Sequence, residues 1–262
     1  MPIAIQGFHD AVTGTVSYVI HDPATRQAAV IDPVLDHDLA TSTASTAGAD
    51  KLLAYLRAQR LTLQWILETH VHADHVSAAR YLRARAGGLI AIGEHIRAVQ
   101  ATLGRLRGWP SHDDGFDRLL ADGERFLIGG IEATALLVPG HTPADLAYQV
   151  EDGVFIGDTL FMPDVGSARA DFPGGDAAAL YRSIRRLLDL PPGTRLFVCH
   201  DYPAGREPRW ETTVAAQRAA NIHAHDGVTE DEFVAMREAR DKTLAAPRLM
   251  LPALQANIRG GG

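Results

Sequence analysis

The stretch Thr69-His70-Val71-His72-Ala73-Asp74-His75 places three histidines and one aspartate within six positions. Packing does not ask for this, because a strand or helix serving only a core would carry apolar residues there. Imidazole nitrogens and a carboxylate are the donors of a divalent metal site. His70 and His72, two apart, share a side where the chain is extended. Asp74 and His75 fall where the chain turns back over the same pocket, so one stretch offers donors to two adjacent metal positions. The bland alternative is a solvated, His-rich turn, and three further segments weigh against it. Residues 138–143, 154–159 and 197–202 each join an apolar strand to a ligand-type residue and a Gly- or Pro-bearing loop, giving His141, Asp158 and His200. Strand ends are where α/β architectures build sites. One histidine there is more often a satisfied core residue, but four segments with one grammar are not explained that way.

The surrounding elements follow from pattern. Runs at 14–20 and 28–32, separated by His21-Asp22-Pro23, predict a β-hairpin. Residues 36–49 are small and polar and read as a loop. Asp50 is placed to cap a helix over 51–59. A strand at 63–68 feeds the histidine stretch, and a helix is expected over 74–86. A strand at 89–92, a helix near 95–106 and a long loop over 107–118 follow. A second β-rich half covers 125–158, then a helix at 176–189, a strand at 195–199 and helices near 211–221 and 230–241. Gly260-Gly261-Gly262 reads as a frayed end. Two β-rich halves with helices between and after them suggest two packed sheets with helices outside.

Composition excludes several classes. The chain has 262 residues, 46% hydrophobic and 22% charged, enough for a large core in one domain. No apolar run approaches the roughly 20 residues of a membrane span, and the first residues lack a signal-peptide pattern. A net charge of −7 argues against nucleic acid as a partner. Cys199 is the only cysteine, so neither an intrachain disulfide nor a thiolate cluster can form; it reads as a small buried residue. These features fit a bacterial cytoplasmic protein. His9, His21, His37, His95, His112, His223 and His225 lie in turns or polar stretches and read as surface histidines.

Taken together, Thr-His-x-His-x-Asp-His, Pro-Gly-His-Thr, Gly-Asp-Thr-Leu and Cys-His-Asp-Tyr resemble the metallo-β-lactamase-fold superfamily over about residues 14–202. The resemblance implies an α/β fold, a single αββα sandwich over 1–262 with its metal site at one rim. Its core spans about 14–202, and a helical extension covers 203–262. Within the superfamily, Arg169-Ala170-Asp171-Phe172 resembles the Gly-x-x-Arg-x-Asp-Phe segment of persulfide dioxygenases, as do Cys199-His200-Asp201-Tyr202 and the Ala256-Asn257-Ile258-Arg259 ending. Gly166-Ser167-Ala168 stands where the mitochondrial-type enzymes carry Gly-Cys-Gly, an extra stretch covers 162–165, and the 107–118 loop is longer. These departures resemble the bacterial branch of β-lactamase-like hydrolases. Glyoxalase II is the nearest alternative.

The dioxygenase resemblance implies one Fe(II) per chain on His70, His141 and Asp158. Two histidines and a carboxylate leave three positions open, the facial arrangement of non-haem iron oxygenases. The substrates would be a thiol persulfide, such as glutathione persulfide, and O2; the products would be sulfite and the free thiol. Arg169 is the candidate for a substrate carboxylate, with a salt bridge to Asp171 as its structural alternative. Tyr202 would contact the thiol carrier or simply pack, and Arg259 is a third candidate. His72, Asp74, His75 and His200 would orient the ligands or form a second metal site. In the glyoxalase II-like alternative two Zn(II) are bound, one by His70, His72 and His141, the other by Asp74, His75 and His200, with Asp158 bridging, and the reaction is hydrolysis of a glutathione thioester. A non-enzymatic binding role is disfavoured, since no ligand position is missing. The sequence allows a homo-oligomer.

Overall fold

The computed structural model describes residues 2–38, 41, 43–109 and 115–261. Among these the strands form two six-stranded sheets and one three-stranded sheet. The first large sheet runs Ala4–His9, Val16–His21, Gln27–Ile31, Thr62–Leu67, Leu89–Gly93, Arg118–Leu120 in spatial order. Its first three strands are antiparallel and the rest join in parallel. The second runs Arg125–Ile128, Ile131–Leu137, Leu146–Val150, Gly153–Phe155, Arg195–Phe197, Glu211–Thr213, with one parallel pair, Gly153–Phe155 on Arg195–Phe197. The helices are α1 (Ala47–Ala58), α2 (Ala79–Ala86), α3 (Ile96–Arg107), α4 (Ala177–Leu188), α5 (Val214–Ala220), α6 (Glu230–Asp241) and α7 (Met250–Asn257).

Alternation along the strands decides the layering. Val16, Tyr18 and Ile20 face the second sheet and pack with Tyr148, Phe155 and Phe197, while Val19 points the other way. Val19, Val30 and Ile66 meet Leu52, Leu53 and Leu56 of α1 and Leu82 of α2. On the far side, Val154 and Leu196 meet Leu180, Ile184 and Leu187 of α4 and Phe233 of α6. The expected αββα sandwich is therefore present, with one apolar layer between sheets and one under each helix layer. Two tyrosines tie the sheets together at their polar ends. Tyr18 donates to the carbonyl of Val198 at 2.5 Å and Tyr148 to that of Glu68 at 2.7 Å. A fourth cluster at the rim joins α3 to α7 through Leu103, Leu254 and Ile258, and it includes Val71 and Phe172.

The hairpin, the helices α3, α4 and α6 and most strands fall where the pattern predicts. Several expectations are corrected. Among the described residues of 36–49 are the end of strand Val34–Asp38, the strand Thr43–Ser45 and the start of α1. Asp50 lies inside α1, whose N-cap position is Thr46; the Thr46 hydroxyl donates to Asp50 at 2.9 Å. The helix expected from residue 74 begins at Ala79, because Val76–Ser77 pairs with Val34 and Leu35 instead. Residues 211–213 are strand rather than helix. Gly260 and Gly261 are buried, with Gly260 packed against the Gly115 backbone, so that end is not frayed; Gly262 lies outside the described residues. So do residues 110–114 of the long loop and His112 within it. Of the other six histidines read as surface, His95 and His225 are exposed, His9, His21 and His37 are half-buried, and His223 is buried. No helix among the described residues is long and apolar enough to cross a membrane.

Candidate metal centre

The strand Thr62–Leu67 delivers the chain to residues 68–75, a loop with no regular hydrogen-bond ladder. Such a loop must be held from outside, and three anchors hold it. Asp32, in left-handed backbone conformation (φ 48°) at the end of the strand Gln27–Ile31, accepts from the Thr69 N–H at 2.7 Å and the Thr69 hydroxyl at 2.9 Å. Aspartate tolerates that conformation better than most residues, and strain of this kind gathers at functional sites. The buried Asn257 of α7 donates to the carbonyls of His72 and His75 at 2.9 and 2.8 Å and accepts from the Ser77 N–H at 2.8 Å. Ser77 in turn donates a short hydrogen bond to Glu68. The other ligands stand on glycine-shaped turns. A Cβ at Gly140 (φ 143°) would lie 2.3 Å from the Leu180 backbone, and one at Gly157 (φ 52°) would lie 2.8 Å from Thr69. Glycine at both places lets the His141 loop seat on α4 and Asp158 approach the histidine loop.

One donor atom from each of His70, His141 and Asp158 lies within 4.8 Å of the others, and so do donors from His72, Asp74, His75 and His200. Nε2 of His70 and His141 stand 3.9 and 3.7 Å from Asp158 Oδ2. His200 Nε2 lies 3.4 Å from the other Asp158 oxygen and 3.2 Å from Asp74, which is 3.3 Å from His75 Nδ1. Asp158 thus touches both groups. By donor spacing His72 falls with the second group, while its ring centroid lies 4.0 Å from that of His70, the neighbour the two-zinc alternative gives it.

Hydrogen bonding at the far side of each ring fixes which nitrogen faces inward. His141 Nδ1 lies 2.8 Å from the Arg169 carbonyl, which can only accept, so Nδ1 carries a proton and Nε2 is the nitrogen turned towards Asp158. Thr69 gives its hydroxyl proton to Asp32 and can accept from His70 Nδ1 at 3.0 Å, leaving His70 Nε2 free. His72 is reversed: its Nε2 lies 3.0 Å from Asp32 and 3.4 Å from Glu68, and Nδ1 is free. Burial, then the neighbouring His72 and His141, hold the His70 imidazole well below its ordinary pKa, so its lone pair is available. Burial would lower His72 as well, but Asp32 and Glu68 outweigh it and raise it well above the usual value. For Asp74, His200 and His75 overcome the opposing effect of burial and keep the carboxyl well below its usual range.

The atoms left over test whether a cation fits. His70 Nε2, His72 Nδ1, His75 Nε2, Asp158 Oδ1 and His200 Nδ1 are all buried without a hydrogen-bond partner. Each such group costs about 1–3 kcal/mol if nothing satisfies it, and His70 Nε2, orphaned within 3.9 Å of Asp158 in the group that also holds His141, is placed for a divalent cation to relieve. Imidazole with carboxylate suits iron or zinc and disfavours hard ions such as calcium.

Around these donors lie two adjoining cavities. One, about 270 Å3, is lined by His141, Asp158, Phe161, Arg169, Tyr202 and Arg240 among others. The second, about 740 Å3, shares Asp74, Tyr202 and Pro247 with it. Tyr202 stacks on His200 (centroids 5.5 Å apart, interplanar angle 7°) and meets Phe161 edge-on. Arg169 sits at the cavity, but its guanidinium is engaged: it pairs in two-pronged fashion with Asp171 at 2.5 and 2.6 Å and donates to the Ala245 carbonyl at 2.8 Å. The salt-bridge alternative is the one the structure contains. Arg259 lines neither cavity and donates to the Gln255 carbonyl within its own turn at 3.0 Å. Asp32, Glu68 and Asn257 were missing from the sequence-derived set. Asp32 was legible, since Val30-Ile31-Asp32-Pro33 repeats the grammar of a strand ending on a ligand-type residue.

The metallo-beta-lactamase superfamily model matches residues 11–200. A probable metallo-hydrolase of Burkholderia pseudomallei is 50% identical over 99% of this chain and 93% of its own length. A beta-lactamase hydrolase-like protein of Xylella fastidiosa is also 50% identical, over 98% of this chain, which spans 60% of that protein. The human mitochondrial persulfide dioxygenase ETHE1 is 29% identical over 99% of this chain and 89% of its own. Among solved structures, ETHE1 from Myxococcus xanthus superposes with a TM-score of 0.82 and 30% identity, covering 99% of this chain and all of that one.

Proposed function

The chain belongs to the metallo-beta-lactamase superfamily, and from that premise we propose that it is an iron-dependent persulfide dioxygenase acting on glutathione persulfide or a related thiol persulfide. The observation that carries this reading is the likeness, over the full length, to ETHE1 from Myxococcus xanthus, a protein whose human namesake is a persulfide dioxygenase. That likeness includes α7, the helix whose Asn257 holds the histidine loop. In the reaction, the S–S bond breaks and the outer sulfur leaves as sulfite, with two oxygen atoms from O2 and one from water. The thiol and two protons are released.

His70, His141 and Asp158 would hold the iron, which when bound supplies the redox chemistry that activates O2. The protein's own work is positional. Thr69 and the Arg169 carbonyl fix the tautomers that turn His70 and His141 Nε2 inward. Phe161 and Tyr202 give the sulfur end of the substrate an apolar wall beside Asp158. A second reading, a dinuclear zinc hydrolase of glutathione thioesters, draws on the second donor group of His72, Asp74, His75 and His200. Metal titration separates the two. Anaerobic protein should take up about one iron per chain; His141→Ala should abolish that uptake and His75→Ala should retain it. Uptake of two metal ions per chain, lost equally in both variants, would favour the hydrolase.

A further inference from the structure

Three arginines, Arg169, Arg237 and Arg240, line the cavity that opens onto His141 and Asp158. Two are spent. Arg169 holds Asp171 and the Ala245 carbonyl. Arg237, fully buried, pairs with Asp241 and donates to the Ser167 carbonyl. Arg240 lies three residues beyond Arg237 on α6, hence on the same face of the helix. It is exposed, and its guanidinium has no ion pair or hydrogen bond with any described residue. The adjoining cavity repeats the feature. Arg248 lines it, is exposed, and is likewise unpaired among the described residues, while Asp10, Asp36, Asp38 and Asp74 face the same space, so an acidic group is drawn to the two arginines and not to the rest of the wall.

A free guanidinium at the edge of a cavity is a fork for a carboxylate. An inorganic sulfur species would not need roughly 740 Å3 of further space next to the reaction centre; an elongated carrier would. We propose that Arg240 binds a carboxylate of the thiol carrier and so makes the protein selective for acidic, elongated thiols over uncharged ones. The proposal rests on the reading above only in placing the substrate sulfur at His141 and Asp158. The carboxylate contact itself is the same whether the chemistry is oxygenation or hydrolysis. The competing explanation is that Arg240 merely offsets the negative end of the α6 dipole, a role that would affect stability and leave ligand binding alone.

The test is calorimetric titration of the isolated protein, with its metal, using glutathione and glutathione diethyl ester, neither of which is a persulfide or a thioester. The wild type should bind glutathione about ten-fold or more tightly than the ester. Arg240→Gln should erase the difference by weakening glutathione alone, and Arg240→Lys should restore part of it. Raising the ionic strength should weaken glutathione binding to the wild type and leave the ester unaffected, a measurement that needs no variant to fold. Equal affinity of Arg240→Gln and wild type for glutathione would overturn the proposal, as would a wild type that does not prefer the free acid. Loss of the oxygenase reading with this binding pattern intact would leave the role of Arg240 standing.

Discussion

At the scale of single residues, the role of an arginine or histidine is decided by its partners more than by its type. Arg169 stands in the segment that resembles the dioxygenases, yet its donors go to Asp171 and Ala245. It therefore acts as a strut, tying the Asp171 turn to the segment that carries Leu244, Pro247 and Arg248 along the cavities. Arg169→Ala and Asp171→Ala should each raise KM and lower the melting temperature, and the double variant should cost little more than either. Additive losses in a double-mutant cycle would show that the two side chains act separately. The sequence shows an arginine and an aspartate two apart, but not which of two acceptors wins. His223 makes the same point. It reads as a surface histidine, but Asn221 and the Ser167 turn bury it, and its Nδ1 accepts from the Ser167 N–H at 3.0 Å. Burial, then Arg237 and Arg240, lower its pKa to about 4. The unfolded chain therefore binds a proton here that the native state refuses, so stability falls as pH drops from about 6.5 towards 4. His223→Asn should flatten that part of the curve of melting temperature against pH; an unchanged slope would assign it to other groups.

At the scale of elements, the chain delivers its ligands through strand ends and then holds them with distant helices. The hairpin, the sheet strands and α4 were legible because their apolar period is set locally. The start of α2 was not. Residues 74–78 have helical composition but are held by pairing to Val34 and Leu35 and by Asn257, about 180 positions away in sequence. The strand Thr43–Ser45 was invisible for a similar reason: it is exposed and polar, and only its pairing with 36–38 makes it a strand. Every histidine and aspartate proposed as a ligand does come to the centre, because each lies next to a strand end whose position the sandwich fixes. The contribution of α7 was legible only as a family-like ending; its physical role is the clamp on the His72 and His75 carbonyls. Asn257→Ala leaves two carbonyls and one N–H buried without partners and should cost about 2–3 kcal/mol. Chelator competition should also show weakened metal affinity. Full metal affinity in a folded Asn257→Ala protein would restrict the helix to a packing role.

At the scale of the whole molecule, the sandwich buries ring nitrogens of His70, His72, His75 and His200 at its rim without a hydrogen-bond partner among the described residues. A bound cation would satisfy lone pairs among them, so removing metal should lower the melting temperature, and the loss should reverse on adding iron. With metal at about a thousand times its Kd, the difference is about 4 kcal/mol. An apo protein that melts with the holo form would mean the donors relax onto one another. Both proposed chemistries share this dependence on metal, and the same rim serves either. What separates them is the fate of O2. An oxygen electrode reading on iron-loaded protein given glutathione persulfide is the most direct measurement. One O2 should be taken up rapidly per sulfite formed, and Asp158→Ala should abolish the uptake. No uptake, together with hydrolysis of S-D-lactoylglutathione by the same preparation, would contradict the dioxygenase reading.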